Sequence, residues 1–558
     1  MQMSGAHIIW ECLAREGVDT VFGYPGGAVL NLYDALLDFP NMHHVLVRHE
    51  QGGSHAADGY ARASGKVGVC IGTSGPGATN LVTGLATAML DSVPMVAITG
   101  QVKSWLLGSD AFQEVDVTGI TLPVTKHNYL VQKAEDIAPV LREAFALAKS
   151  GRPGPVLVDI TSDAQKNMTE IDWDKIPVPT RQLRHLPPKP TAESIDKAME
   201  LLKAAKRPLI LAGRGIQLSG ARQEVLDFAE KANIPITTTL LAIGTIPSNH
   251  ALNLGMMGMH GEAWTNQAIQ EADLLLAFGM RFDDRVTGDL ATYAQNAKKI
   301  HIEIDKSEIH KNVHVDAPIL GDLREALVEM LAKLDKQDHG DWVKHVNSLR
   351  TDVNEEAILE DHGGLHAPQV IHDLWKYTNG AAVVVSDVGQ HQMWEAQYYK
   401  HNEDRSLVTS GGLGTMGFAL PAAMGAKLAC PEKEVWAIAG DGGFQMNMQE
   451  MMTLVQEGIK VNIAVINNGF LGMVRQWQEL FYERRYAATP MISPDFVKLA
   501  EAFGIPGRRV TTRDEVESAI KEAREAEGSF LLEFVVDQEF NVMPMVPAGG
   551  KLDQMIRR

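Results

Sequence analysis

The stretch that most constrains this chain is VWAIAGDGGFQMNMQEMMTLVQEGIKVNIAVINNGF, residues 435–470. An apolar run ends at Gly440, and Asp441 follows, flanked by Gly440, Gly442 and Gly443. A helix-patterned segment comes next, then a second apolar run that ends at Asn467-Asn468. Two such runs joined by a helix predict parallel strands of one sheet. Asp441 and Asn468, 27 positions apart (468 − 441), then stand at neighbouring strand C-termini. That edge is where open α/β sheets bind ligands. Hard oxygen donors there, beside a helix N-terminus and glycines that admit close backbone approach, suit a Mg²⁺ carrying a diphosphate. A GDG triplet alone reads as a turn. Strand, GDG, helix, strand and NN at this spacing form a far more specific pattern.

A chain of 558 residues exceeds one ordinary core and predicts three or four domains. Its 50 glycines fit many strand-to-helix turns. The formal charge of −19 argues against a nucleic-acid groove or an anionic membrane surface. Cys12, Cys70 and Cys430 lie far apart, match no metal-ligand spacing, and read as small apolar residues in a reducing compartment. No apolar run approaches membrane-spanning length. The opening MQMSGAHIIWECLAREGVDTVFG enters an amphipathic helix and a strand at once, leaving no room for a targeting peptide. The cytoplasm is the expected compartment.

Short apolar runs alternate with helix-period stretches throughout, which predicts α/β architecture with parallel sheets. A proline-rich stretch around Val178, ending in LPPKPT, and a break over 354–368 divide the chain into segments 1–180, 190–350 and 365–558. The first and third share a rhythm of strands and glycine turns without a clear residue-level repeat, suggesting two related folds facing one another. In the middle segment, GRGIQLSG resembles a dinucleotide fingerprint. The strand after it, IPITTTL, lacks the terminal acid that would take a ribose, so NAD is not expected.

The 435–470 unit resembles the metal and diphosphate motif of the thiamine-diphosphate (ThDP) enzymes. Beside it, Glu50 in VRHEQGG changes meaning. An acid at a helix start ordinarily complements the helix dipole. With ThDP it becomes the partner of the aminopyrimidine ring: a glutamate in an apolar pocket can share a proton with the ring nitrogen. Met416 projects from the glycine-rich GGLGTMGF, where Gly414 leaves a carbonyl accessible, and is placed to support a bent cofactor. By itself it reads as core packing. Gln390 and His391 in GQHQMW follow an apolar strand and can donate hydrogen bonds to phosphate oxygens.

The resemblance extends over nearly the whole chain. VFGYPGGA, RHEQGG, TSGPGATNL, DAFQEVD, TKHNYLV, SGRPGPVLVDI, GMMGMHG, RFDDRVTG, DVGQHQMW, TSGGLGTMGF and LGMVRQWQELFYERRY are similar to motifs of the acetohydroxyacid synthase (acetolactate synthase) family. RFDDR, GQHQMW and MVRQWQ are specific to that branch. The resemblance implies three doubly wound parallel-sheet domains of the pyruvate oxidase/decarboxylase type. It implies that these bind, in order, the ThDP pyrimidine, a flavin, and the ThDP diphosphate with Mg²⁺. It assigns cofactor activation to Glu50, the wedge to Met416, and metal ligation to Asp441, Asn468 and the Phe470 carbonyl. Gly27, Phe112, Gln113 and Lys126 match positions at the active-site entrance. Trp477, with Met473 one turn earlier, matches the residue tied to preference for 2-oxobutanoate, where one methylene in an apolar pocket is worth ~1–3 kcal/mol. Ordinary packing is the plain alternative for Trp477.

The resemblance further implies FAD without redox chemistry, at Arg152, Gly213, Gly215, Thr239, Leu240, Met259, His260, Arg281, Asp283, Arg285, Glu303, Ile304 and Asp322. From the residues alone, only GMHG and RFDDR offer donors for a diphosphate. The implied partners are pyruvate and 2-oxobutanoate, a second copy in a homodimer or homotetramer, and a small regulatory subunit. One departure is DITSDAQK, where Ser162 stands in place of a family lysine near the channel mouth. The alternatives are a flavin-free catabolic acetolactate synthase, a pyruvate oxidase-like enzyme, glyoxylate carboligase (which lacks an acid matching Glu50), and a catalytically dead scaffold on the same fold.

Overall fold

A computed structural model describes residues 1–180, 186–350, 358–360 and 363–557. Parts of both predicted breaks between segments lie outside the described residues. Eighteen strands form three parallel six-stranded sheets. The first holds β1 (Thr20–Gly23), β2 (His43–Leu46), β3 (Gly68–Gly72), β4 (Met95–Gln101), β5 (His127–Val131) and β6 (Pro155–Thr161) in the order β2-β1-β3-β4-β6-β5. The second holds β7 (Pro208–Ala212), β8 (Ile236–Thr238), β9 (Asn253–Met256), β10 (Leu274–Phe278), β11 (Lys298–Glu303) and β12 (Ala317–Leu320) in the order β9-β8-β7-β10-β11-β12. The third holds β13 (Val383–Ser386), β14 (Leu407–Thr409), β15 (Val435–Gly440), β16 (Asn462–Asn467), β17 (Gly507–Val510) and β18 (Phe530–Val535) in the order β14-β13-β15-β16-β18-β17.

The first and third sheets therefore share one topology, which explains the common rhythm of their segments. The second has the doubly wound order associated with dinucleotide binding. Helices cover both faces, so central strands read as continuous apolar runs; β15 and β16 are buried up to their last residue. The amino-terminal segment forms as its pattern predicts. A helix over Gly5–Arg15 starts at Ser4, whose side chain accepts from the His7 amide, and turns Ile8, Ile9, Trp10, Cys12 and Leu13 inward.

Sheets one and three each keep a core of their own on one face and share a core on the other. One hydrophobic cluster runs from Phe22, Val45 and Ala57 through Phe418, Ala422 and Ala437 to Leu531. At its centre α1 (Glu50–Ser64), which follows β2, crosses α3 (Ala419–Ala429), which follows the topologically equivalent β14. Between them along the chain lies α2 (Gln390–Tyr398). At the α1–α3 crossing, Gly59 faces the Ala422 carbonyl and Gly425 faces the Ala56 carbonyl, and a Cβ at either position would collide with backbone. The middle segment keeps one cluster of its own and shares a second with Val546 and Leu552 near the C-terminus. Cys12 and Cys70 are buried, and no disulfide links the three cysteines. Among the described residues no helix is long and apolar enough to cross a membrane.

Candidate active site

β15 and β16 pair in parallel, with Gly440 opposite Ile466, so Asp441 and Asn468 stand side by side at the sheet's C-terminal edge. Asp441 opens α4 (Asp441–Asn447) and is almost fully buried; its carboxylate accepts from the Ser493 hydroxyl at 3.0 Å. Burial pushes its carboxyl up to about 6. Asn468 has its oxygen oriented by the Phe470 amide at 3.1 Å, and its amide donates to Gln390 Oε1 at 3.2 Å. Phe470 is half-buried and bridges to Pro490. Among the described residues no three His, Cys, Asp or Glu side chains form a metal-binding group. A metal here would take one carboxylate plus amide and backbone oxygens, a donor set that fits Mg²⁺.

Around this edge the glycines are places of close approach. A Cβ on Gly442 would lie 2.8 Å from Leu471 and 3.7 Å from the Met416 methyl carbon. One on Gly440 would lie 3.0 Å from the His391 ring, and one on Gly443 3.0 Å from the Asp387 carboxyl. Asp387, at the end of β13, is buried and accepts the Gly417 amide at 2.9 and 3.1 Å. It thereby holds the loop carrying Met416 and the exposed Gly414. Burial pushes the Asp387 carboxyl up to about 6 as well.

The expected phosphate donors are placed differently. Both donor bonds of the Gln390 amide go to Gln476 (2.8 Å) and the Phe540 carbonyl (3.1 Å), so that side chain braces Asn468 and α5 (Gly472–Phe481). Burial lowers His391 to about 4, which keeps the ring neutral, and its Nε2 accepts from the Gly440 amide at 3.3 Å. Both contacts arise because the strand edge is packed closely enough to need these side chains as buried braces.

Glu50 gathers a second cluster at the edge of the first sheet. It is buried at the start of α1, accepts from Asn80 at 2.9 Å, and lies beside Gly77. Thr73 Oγ1 accepts from the Ala28 amide at 3.3 Å, which fixes the turn containing Gly27. Gly75 packs on Gln113. The TSGPGATN loop thus brings Glu50, Gly27 and Gln113 together. Phe112 next to them is 88% exposed, an apolar ring facing outward. Lys126 stands apart: its ammonium donates to the carbonyls of Leu147 and Ser150, and burial lowers it to about 8. It braces the loop that carries Arg152.

A cavity of about 1090 Å³ lies where the first, middle and third segments meet. Its wall includes Arg152, Gly215, Thr239, Leu240, Met259, His260, Arg281, Asp283, Arg285, Glu303, Ile304 and Asp322 from the predicted flavin set, and Gly414, Met416, Met473 and Trp477. Gly213 is not on the wall; it packs against Gly279 and Met280. Glu50, Gly27, Phe112, Gln113 and Lys126 are also not on it. Several wall residues have structural duties too: Asp322 caps the helix Leu323–Lys333, and Asp283 caps Asp284–Thr287. Met473 and Trp477 share a face of α5, with the Arg285 guanidinium 5.9 Å from the Trp477 ring. Trp477 Nε1 and His260 Nδ1 are buried with no hydrogen-bond partner among the described residues. Orphaned polar atoms on a cavity wall of this size and mixed chemistry fit a large polar ligand such as a dinucleotide.

Sequence reasoning passed over Asn80, Thr73, Asp387 and Glu450. The first two lie inside a motif already singled out, so spacing could have found them. Asp387 opens another such motif, DVGQHQMW, whereas Glu450 carries no local signal.

Comparison with known proteins places these features in context. The chain matches the thiamine pyrophosphate enzyme N-terminal TPP binding domain over residues 3–120, the central domain over 195–330, and the C-terminal TPP binding domain over 387–534. It is 48% identical to an acetolactate synthase large subunit of Mycobacterium tuberculosis, across 99% of this chain and 91% of that protein. It is 50% identical to the acetolactate synthase large subunit of Corynebacterium glutamicum, across 98% and 89%. It is 46% identical to that of Lactococcus lactis, across 99% and 96%.

Proposed function

The chain belongs to the acetolactate synthase large-subunit family of thiamine pyrophosphate enzymes, and from that premise we propose that it is the catalytic subunit of an acetohydroxyacid synthase. Two pyruvates give 2-acetolactate and CO₂; pyruvate and 2-oxobutanoate give 2-aceto-2-hydroxybutanoate and CO₂, as steps of branched-chain amino-acid synthesis in the cytoplasm. The observation that carries this reading is Asp441 and Asn468 meeting at one strand edge, with the Met416 methyl against Gly442.

When bound, ThDP supplies a nucleophilic carbon and a sink for the electrons released on decarboxylation. Asp441, Asn468 and the Phe470 carbonyl would hold Mg²⁺, whose charge offsets the cost of burying the Asp441 carboxylate. Met416, fixed through Gly417 by Asp387, would support the bent cofactor. Glu50 would hold a proton at the aminopyrimidine nitrogen, with Asn80 fixing the carboxyl's orientation. Trp477 and Met473 would form the apolar wall that favours 2-oxobutanoate. The cavity would hold FAD as a non-redox component, with Arg281 and Arg285 toward its diphosphate.

By resemblance to the family, a complete site would take Glu50 from one subunit and the metal edge from its partner, at the two ends of one ThDP. A homodimer is then the minimum assembly, a homotetramer a multiple of it, and a small regulatory subunit an added partner. Gly27, Phe112, Gln113 and Lys126 would frame the entrance from the Glu50 side.

The test is one preparation assayed with pyruvate, ThDP and Mg²⁺ while its flavin spectrum is recorded. Acetolactate and CO₂ in equal amounts, from a yellow protein that consumes no oxygen, are expected. A colourless protein making acetolactate would instead be a catabolic synthase. Oxygen or quinone consumption in step with pyruvate would make it an oxidase.

A further inference from the structure

One buried carboxylate belongs to neither cluster and touches both parts of the chain. Glu450, nine residues beyond Asp441 (450 − 441), opens the helix Glu450–Gln456 and has no solvent exposure. It accepts the Arg48 amide at 3.0 and 3.2 Å, the His49 amide at 3.1 Å and the Thr453 hydroxyl at 2.7 Å. Arg48 and His49 are the two residues before Glu50, and His49 is the N-cap of α1. The amino ends of two helices thus converge on one carboxylate, which both helix dipoles favour. Gly52 completes the fit, because a Cβ there would run into the Glu450 carboxyl.

The contact is geometric rather than a charge pair. The Arg48 guanidinium turns away to the Leu46 carbonyl and to Gln456, and the neighbouring His43 pairs with Glu457. Backbone amides hold a carboxylate in a fixed direction, and the carboxylate in turn fixes the amides.

We propose that Glu450 is a positioning residue: by gripping the amides of Arg48 and His49, it sets where Glu50 stands against Asn80 and Gly77. The inference rests on the reading of Glu50 as the group that meets the cofactor. Through Glu450, the motif that carries Asp441 also builds the backbone under the catalytic acid, from about 400 positions along the chain.

The experiment compares holoenzyme bearing Glu450→Ala, Glu450→Gln or Gly52→Ala with wild type and with Glu50→Gln. It measures kcat, KM for pyruvate, Mg²⁺-dependent ThDP affinity by tryptophan fluorescence, and amide hydrogen exchange by segment. For Glu450→Ala, kcat falls about ten- to hundredfold, because small misplacements of a catalytic group have large effects. KM and ThDP affinity stay within about twofold, since neither depends on the amides that Glu450 holds. Exchange at residues 48–50 rises about tenfold while exchange in β15 is unchanged. Glu450→Gln recovers part of both effects, because its amide oxygen still accepts one N–H, and Gly52→Ala reproduces them from the other side of the contact.

The proposal is overturned if kcat and exchange at 48–50 match wild type, if exchange rises but kcat does not fall, or if exchange rises throughout β15. Where Glu450→Ala does not fold, Glu450→Gln and Gly52→Ala decide. If Glu50→Gln turns pyruvate over normally, the reading of Glu50 has failed, and the exchange data alone decide whether Glu450 holds the segment.

Discussion

The first and third sheets are the same topology put to opposite uses. Both run in the order second, first, third, fourth, sixth, fifth strand, and in each the helix after the second strand crosses its counterpart. In the third sheet the strand ends carry Asp387, Asp441 and Asn468, buried groups that offer oxygens. In the first sheet they carry small residues, hydroxyls and one acid, Glu50, oriented by an asparagine. The fold thus sets where a ligand can sit, while residues just past the strand ends decide which end of it is held there. The two segments also organise each other: Glu450 of the third holds the start of α1, while Asp91 of the first holds the Gly411–Gly412 amides below the Met416 loop.

The sharpest attempt to break that contrast replaces Glu50 itself. Glu50→Gln should lower kcat about 100-fold or more, the usual scale for a lost proton-transfer group. ThDP binding measured by fluorescence should change only a few-fold, because the metal edge remains. Near-normal turnover would mean that the first sheet contributes shape and no chemistry.

Next in size is the joint between the two sheets. Arg62 in α1 is buried between Asp58 and Asp91, 2.8 Å from the latter, and donates to the Thr409 carbonyl at 2.9 Å. Asp91 in turn accepts the amides of Gly411 and Gly412, at the root of the Met416 loop. Removing one member of such a buried set leaves unpaired charge. Arg62→Ala should therefore lower apparent stability by about 3–5 kcal/mol in denaturant titration. A loss within 1 kcal/mol would mean the segments hold together through the apolar cluster alone.

Trp477→Leu should change the ratio of 2-aceto-2-hydroxybutanoate to 2-acetolactate about tenfold in a competition assay, the value of one methylene contact. An unchanged ratio would move the specificity wall elsewhere.

The smallest effect is on pH. Burial raises Asp441 from its ordinary value of 3.8 to about 6. Stability that this group lends the cofactor-free protein is complete below the ordinary carboxylate range and lost as pH rises through about 6. Mg²⁺ needs the ionised form, so its binding runs the other way and should weaken about fourfold between pH 7.5 and 5.5. Asp441→Asn should remove that pH dependence along with most of the affinity.

Much of this was legible from residues in order. Gly440–Asp441 and Asn467-Asn468 predicted adjacent parallel strands, because apolar runs and a helix-length spacer leave few other arrangements. The dinucleotide-like GRGIQLSG reads against an NAD site because the strand after it lacks a terminal acid. The sheet order of that segment nevertheless belongs to the dinucleotide-binding class. What sequence could not give were contacts between distant segments. Glu450 sits in a helix pattern where an acid reads as solvated or as an N-terminal residue, and nothing local says that Arg48 folds onto it. Gln390 looked like a phosphate donor, but its donors are used by Gln476 and Phe540, more than 80 positions away. Tertiary packing decided both.

The central claim is that Glu50 and Asp441 of one chain serve different cofactors. Two inactive variants, Glu50→Gln and Asp441→Ala, can be co-expressed with different tags and the mixed dimer purified. If sites form across subunits, one site of that dimer carries both defects and the other none. Its activity should then be about half that of wild type, as two-fold symmetry requires. A mixed dimer as inactive as its parents would show that each chain builds its own site, and would contradict the account.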